Sequence, residues 1–304
     1  MTLSPLRQIH VIINPASGQN EPILNVLNSV LRPAEIKWDV FITNEAGDAR
    51  KYAQQAIAAG VDAVAVYGGD GTVTEAASGL IGSNMPLAIL PGGTGNVMSI
   101  ELGIPGRLED AIALLCDATQ SSRLVDMGMV GDRPFLGHVA VGLEADMHQT
   151  ADRTMKDRLG FLAYPIAALQ SLIDRPVSRY TLILDEEKVE MDVLDCMVTN
   201  MGSTGVLGAT LANNISVSDG LLDVILIRKA DVASLGELVR SMTGQADPAN
   251  LLPHWQVHKV SITTDPPQKV TADGEVLGET PVEISILPGA IRVIVPGSTV
   301  PSGG

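Results

Sequence analysis

Three glycine-rich turns in the first third of the chain each close an apolar run: Asn14-Pro15-Ala16-Ser17-Gly18, Gly68-Gly69-Asp70-Gly71-Thr72 and Pro91-Gly92-Gly93-Thr94-Gly95-Asn96. Glycine lets a backbone take positive φ and come close to a ligand, and a helix start that follows offers its amides to an anion. One such turn is ordinary tight-loop geometry; three at successive strand ends read as a nucleotide phosphate site. Asp70 makes the second turn more than a cradle. A carboxylate beside phosphates repels them unless it acts through a divalent cation or on a proton.

Two later turns carry carboxylates as well, Asp219-Gly220-Leu221-Leu222-Asp223 and Asp273-Gly274-Glu275. Taken alone, each is an ordinary hairpin turn opening or closing a strand. His254 and His258 are four apart, a metal-holding spacing only on a helix, and Trp255-Gln256-Val257 between them reads as extended. Several chemistries are excluded in their standard forms. No Gly-Lys dipeptide exists for a P-loop, no third glycine completes a dinucleotide fingerprint after Gly93-Thr94-Gly95, and no G-x-S-x-G nucleophile motif occurs.

The elements that must hold these turns alternate between strand and helix. Ile9 to Asn14, Lys37 to Thr43, Val61 to Tyr67 and Pro86 to Leu90 predict strands. Ile23 to Leu31, Asp48 to Ala59, Val97 to Leu102 and Leu108 to Ala118 predict helices, and a further one carries Val73, Ala76, Ala77 and Leu80 on one face. Thr72 with Glu75 fits a capping box at its start, which competes with a role for either residue in the site. The alternation predicts a largely parallel sheet with its loops gathered at the carboxyl ends of the strands.

From about Asp126 the texture becomes that of a mainly antiparallel β domain, with strand signals at Asp126 to Val130, Phe135 to Val141, Arg179 to Leu184, Leu194 to Thr199, Leu222 to Ile227, Val257 to Thr263 and Gln268 to Thr271. Leu159 to Ile173 is a helical interruption. Val282 to Val295 predicts two strands around Pro288-Gly289, the second returning to the first domain. The expected division is an α/β domain over 1–125 with a return at about 290–300, and a β-rich domain over 126–289.

At 304 residues the chain favours two domains. No run approaches the roughly 18 apolar residues of a spanning helix, and Met1 to His10 lacks the apolar segment of a secretory signal, so a cytoplasmic protein is expected. Cys116 and Cys196 read as free thiols in apolar surroundings. A net charge of −15 argues against broad electrostatic binding to nucleic acid or to an anionic membrane. Arg153, Lys156, Arg158, Arg175 and Arg179 form a local basic cluster, facing either a phosphate or lipid interface or simply solvent on a helix.

In order along the chain, Asn14-Pro15, Gly68-Gly69-Asp70-Gly71-Thr72, Leu90 to Asn96, Asp219 to Asp223 and Asp273-Gly274-Glu275 resemble the diacylglycerol kinase catalytic family and its soluble bacterial lipid kinases, which are similar to sphingosine and ceramide kinases. Lys156 to Tyr164, with Gly160 and Ala163, is similar to a further stretch of that family, and the likeness runs from about residue 9 to 295. The resemblance implies an ATP-dependent kinase of a lipid hydroxyl, diacylglycerol or a related lipid, in phospholipid biosynthesis. It implies an α/β nucleotide-binding domain, a second β domain enclosing a cleft, and peripheral membrane contact. The nucleotide set it implies is Asn14, Pro15, Ser17, Gly18, Thr43, Gly68, Gly69, Asp70, Gly71, Thr72, Glu75, Gly93, Thr94 and Asn96. Asp70 would act near magnesium and the transferring phosphoryl group, and Glu275 or Asp273 would accept the proton. A structural magnesium would sit on Asp219, with carbonyl help from Ser216 and Leu221. Two rivals remain open: a kinase of a soluble hydroxyl, like NAD kinase, and a nucleotide-binding regulator without turnover. Oligomeric state also stays open, a homodimer among the options.

Overall fold

The structure is a computed structural model that describes residues 5–17, 21–117, 121–142, 176–202, 215–229 and 252–297. The predicted helix over Leu159 to Ile173 and the Lys156 to Tyr164 stretch lie outside these residues, as do Gly18 and all of the basic cluster except Arg179. The chain divides into two compact units, one holding Met1–Met127 with Pro288–Gly304, the other Gly128–Thr204 with Gly208–Leu287. Among the described residues no helix is long and apolar enough to cross a membrane.

The first unit is a parallel α/β layer. Its strands are β1 (Gln8–Ile13), β2 (Lys37–Ile42), β3 (Ala63–Gly68) and β4 (Pro86–Pro91), arranged β2-β1-β3-β4. β3 and β4 are buried at every position, and β1 at all but its first, which is why they read as continuous apolar runs and not as alternating ones. Between them lie α1 (Ile23–Leu31), α2 (Asp48–Ala59) and α3 (Asp70–Ser78); α4 (Val97–Glu101) and α5 (Leu108–Ala113) follow, the last running into a 3-10 turn at Leu114–Cys116. α2 runs between two left-handed glycines, Gly47 at φ 98° and Gly60 at φ 68°, the second closing its C-terminus by donating to Ala56 and Ile57.

The second unit is antiparallel. β5 (Ser121–Val130) leads into it, followed by β6 (Arg133–Phe135), β7 (His138–Val141), β8 (Ser178–Leu184), β9 (Glu187–Val193), β10 (Asp195–Thr199), β11 (Leu222–Ile227), β12 (His254–Val257), β13 (Lys259–Asp265), β14 (Lys269–Ala272) and β15 (Glu275–Glu279). A six-stranded sheet runs β12-β11-β10-β7-β14-β15, and a second sheet carries β13-β8-β9. Strands β8 and β13 bury every second residue, and those residues share one apolar core with the six-stranded sheet, Tyr180, Leu182, Val260 and Ile262 meeting Val139, Val141, Cys196 and Val224.

Three expectations are corrected. Val282 to Val295 is a single strand, β16 (Val282–Val295), not two: its first residues pair with β13 and its last, Arg292 and Val293, pair in parallel with Pro86 and Leu87 of β4. Gly289 takes φ 56° and turns its amide out to the Asp126 carboxylate at 2.6 Å, so the Pro288-Gly289 pair makes an irregularity within one strand. Phe135 to Val141 is not one strand but two, broken at Leu136-Gly137. The capping box does not form: α3 begins at Asp70 after Gly69, and Glu75 turns its carboxylate to another helix. Strand β9, whose solvent face is Lys188, Glu190 and Asp192, had no apolar run to announce it.

Cys196 is buried and Cys116 half-buried, both free, and burial pushes both thiols up from their ordinary range. Arg179 lies on strand β8, exposed and paired with Glu190 at 2.7 Å and Asp192 at 3.5 Å, so it does not belong to a basic helix face.

Candidate active site

In the first unit the three glycine turns are tied to one another at the strand ends. The Asn14 amide N–H donates to the Tyr67 carbonyl at 2.9 Å, and the Asn14 side chain bonds in both directions. Its Nδ2 donates to Thr72 Oγ1 at 2.8 Å, and its Oδ1 accepts from the Ala16 amide at 2.9 Å. Ser17 Oγ accepts from the Gly69 amide at 3.4 Å, so the first turn touches the second through Asn14 and Ser17 alike. Thr43, at the end of β2, is buried, with its amide on the Ile13 carbonyl at 2.9 Å.

The second and third turns meet backbone to backbone. Gly92 donates to the Gly68 carbonyl at 3.0 Å, and a Cβ on Gly93 would stand 2.6 Å from the Gly69 Cα. Glycine at 93 is therefore demanded by the approach of the two loops. Asn96, in the left-handed region at φ 48°, folds the third turn on itself: its Oδ1 accepts from the Gly93 amide and its Nδ2 donates to the Gly93 carbonyl, both at 2.8 Å. Thr94 stands exposed at the tip of this loop, beside exposed Gly95.

Asp70, the first residue of α3, projects its carboxylate between these loops. One oxygen accepts from the Met98 amide at 3.4 Å, and the other lies 3.0 Å from where a Gly95 side chain would begin. The Gly71 and Thr72 amides belong to the first turn of α3, which has no acceptor within the helix, and Gly71 is open to solvent. An electropositive helix start and a carboxylate thus share one place. That is a suitable arrangement for a polyphosphate whose charge is shared with a cation. Glu75 stands one turn deeper, and its Oε1 accepts from the Ala49 amide at 2.8 Å and the Arg50 amide at 3.4 Å, satisfying the start of α2.

In the second unit, Asp273 and Glu275 have different partners. Asp273, at φ 45°, accepts three backbone amides, Leu136 at 3.0 Å, Gly137 at 2.9 Å and His138 at 3.1 Å, and returns its own amide to the His138 carbonyl. A Cβ on Gly137 would strike Asp273 Oδ1 at 2.6 Å. Asn200 completes the turn, its side chain donating to the Leu136 carbonyl and its amide to the Gly137 carbonyl, while the Thr199 hydroxyl donates to the Met201 carbonyl at 2.7 Å. Glu275 is exposed and pairs with Arg133 of β6. No feature of the sequence singled out Arg133.

The Asp219 turn is held by its own side chain, Oδ1 accepting from the Leu221 amide at 3.0 Å, with Ser216 Oγ accepting from Ser218 at 3.4 Å. Asp219 is exposed and offers oxygen donors only, which suits a hard cation such as Mg²⁺ together with turn carbonyls of Ser216 and Leu221. Among the described residues no three His, Cys, Asp or Glu side chains converge into a cage, so any cation here depends on backbone and water oxygens. Asp223, quoted in the turn motif but given no role there, is fully buried with His254 Nε2 2.6 Å from its Oδ1. Desolvation raises its pKa, and the His254 bond opposes that rise. His258 faces Asp185 instead, so the two histidines do not converge on a shared ion.

The comparisons with known proteins agree with this geometry. Residues 8–130 match the model of the diacylglycerol kinase catalytic domain, and residues 137–295 that of the YegS C-terminal NAD kinase beta sandwich-like domain. Over 306 aligned residues the chain is 30% identical to a diacylglycerol kinase of Mycobacterium tuberculosis, covering 95% of each protein. It is 31% identical to an uncharacterized protein of Synechocystis, covering 94% of this chain and 70% of that one. A crystal structure of a diacylglycerol kinase from Bacillus anthracis superposes with a TM-score of 0.78 at 26% identity, covering 98% of this chain and all of that one. The chain belongs to the diacylglycerol kinase-like family of lipid kinases, and its reaction class is phosphoryl transfer.

Proposed function

We propose that this protein transfers the γ-phosphoryl group of ATP to the hydroxyl of a lipid, diacylglycerol or a close relative. The observation that carries the reading is the locked pair of turns at Gly69 and Gly93, which holds the Asp70 carboxylate at the start of α3. Phosphoryl transfer asks for alignment and charge neutralisation more than for covalent help, and these parts supply both. Asn14, Pro15, Ser17, Gly68 to Thr72, Gly93, Thr94 and Asn96 line the nucleotide phosphates in this reading. Thr43 and Glu75 support the strand and helix ends behind them.

The lipid oxygen forms its bond to the γ-phosphorus as the bond from that phosphorus to the bridging oxygen breaks, and ADP leaves. The hydroxyl proton passes to Glu275. Asp273, with three amides on its carboxylate, shapes the turn that carries Glu275. Magnesium, when bound beside the nucleotide, neutralises phosphate charge, and Asp70 is the residue that would face it. A second magnesium on Asp219, with Ser216 and Leu221 carbonyls, would stiffen the turn entering β11. The enzyme would act from the cytoplasm in peripheral contact with a membrane and feed phospholipid biosynthesis.

Transfer of radiolabel from ATP onto a panel of lipids in mixed micelles tests this reading, with NAD as a soluble acceptor in parallel. Label on a lipid that requires Mg²⁺ supports it; label on NAD alone points to a soluble hydroxyl, and no label on either overturns catalysis.

A further inference from the structure

Two ties join the Asp273-Gly274-Glu275 turn to the β6–β7 segment, and they differ in kind. The inner tie is the Asp273 carboxylate on the amides of Leu136, Gly137 and His138, in a turn whose residues Leu136 and Gly137 are buried. The outer tie is the ion pair of Arg133 with Glu275 Oε2, its side chains 49% and 66% exposed. An exposed pair of this sort contributes little to stability, so the fold does not need it. The inner tie, with its charge-assisted bonds to buried amides, already fixes the turn.

Resting on the function proposed above, we infer that Arg133 is a positioning residue for the proton acceptor: its guanidinium holds Oε2 of Glu275 and leaves Oε1 turned to the lipid hydroxyl. Among the described residues, Arg133 is the partner of the Glu275 carboxylate, and Oε1 has no other hydrogen bond. The planar guanidinium fixes a carboxylate's orientation as well as its charge, which an ammonium does less well. Arg133 is anchored three residues before Leu136 of the clamped turn, because Phe135 of the same short strand is buried in the core and pairs with Gly128. The acceptor and its holder are thus carried by two segments already pinned to each other.

The test is a double-mutant cycle on the full chain, with radiolabelled ATP and the lipid that the wild type labels best. Arg133→Gln is expected to lower kcat about tenfold while leaving KM for ATP unchanged, as expected of a general-base contribution of roughly 10²–10⁴-fold that is weakened but not removed. Arg133→Lys should recover part of the loss, and free guanidinium should restore part of the activity of Arg133→Ala. In the Glu275→Gln background, Arg133→Gln should cost nothing further, because its only action is through that carboxylate. Melting temperatures of all variants should match the wild type. Additive losses, a loss in KM for ATP, a melting temperature that falls with the activity, or an unimpaired Arg133→Gln would each overturn the assignment. A wild type that labels no lipid removes the proposed function and this inference together, whereas an active wild type with additive losses removes the inference alone.

Discussion

Asp273 and Glu275 stand two residues apart and have different partners. Asp273 gives its oxygens to three amides, so replacing it strands donors in a buried turn. Asp273→Ala should lower stability by about 2–4 kcal/mol, the range for orphaned buried donors and a broken network. Glu275→Gln, changing an exposed group, should leave the unfolding midpoint within about 0.5 kcal/mol of the wild type yet lower turnover at least 10²-fold. Urea unfolding and steady-state kinetics on the two variants check the division; an unstable Glu275→Gln or a stable Asp273→Ala would reverse it. The sequence marked both carboxylates but not their separate duties. Those depend on Leu136 and Gly137, more than 130 positions away along the chain, whose amides carry no side-chain signature.

At the scale of elements, the glycine turns were legible because only glycine fits where two backbones meet, and that need is written in residue type. The contact itself predicts a contrast. Gly93→Ala puts a Cβ 2.6 Å from the Gly69 Cα and should displace the third turn, lowering the melting temperature and weakening binding of an ATP analogue about tenfold or more. Gly69→Ala, whose Cβ would sit 3.5 Å from the Gly93 Cα in extended backbone at φ −85°, should melt like the wild type. Equal melting temperatures for the two variants would contradict the close approach. What the sequence hid at this scale lies in long-range bonds: Glu75 crossing to α2, and the Gly289 amide drawn to Asp126 so that one strand passes for two.

The start of α2 also carries a pH dependence. Amides of Asn44 and Glu45 donate to Asp48 and hold its carboxyl below the ordinary 3.8. A group depressed in the folded state contributes stability that is fully present above its unfolded pKa and is lost as pH falls through the folded one. Asp48→Asn should therefore melt below the wild type near neutral pH, and the gap should close as pH drops below about 3.8. A gap unchanged through the acid range would show that the bonds act without the charge. The magnesium proposed on Asp219 gives the turn before β11 a metal-linked counterpart. Asp219→Ala should lower both melting temperature and turnover, with partial rescue by raised Mg²⁺, read by thermal melts in a Mg²⁺ series. No change in either quantity would make the turn an ordinary hairpin.

For the whole molecule, two units divide the labour: a parallel layer that gathers glycine turns at its strand ends, and an antiparallel unit that carries the acidic turns. The proposed function, phosphate transfer from ATP to a lipid, sets Asp70 beside the transferring group. The most direct measurement is radiolabel transfer from ATP to a lipid panel in mixed micelles by the wild type and by Asp70→Asn, with circular dichroism on both. The wild type should label a lipid in a Mg²⁺-dependent manner, and Asp70→Asn should keep the spectrum with activity reduced by about 10²-fold or more. A folded Asp70→Asn keeping more than about a tenth of the activity, or a wild type that labels no lipid, would contradict it.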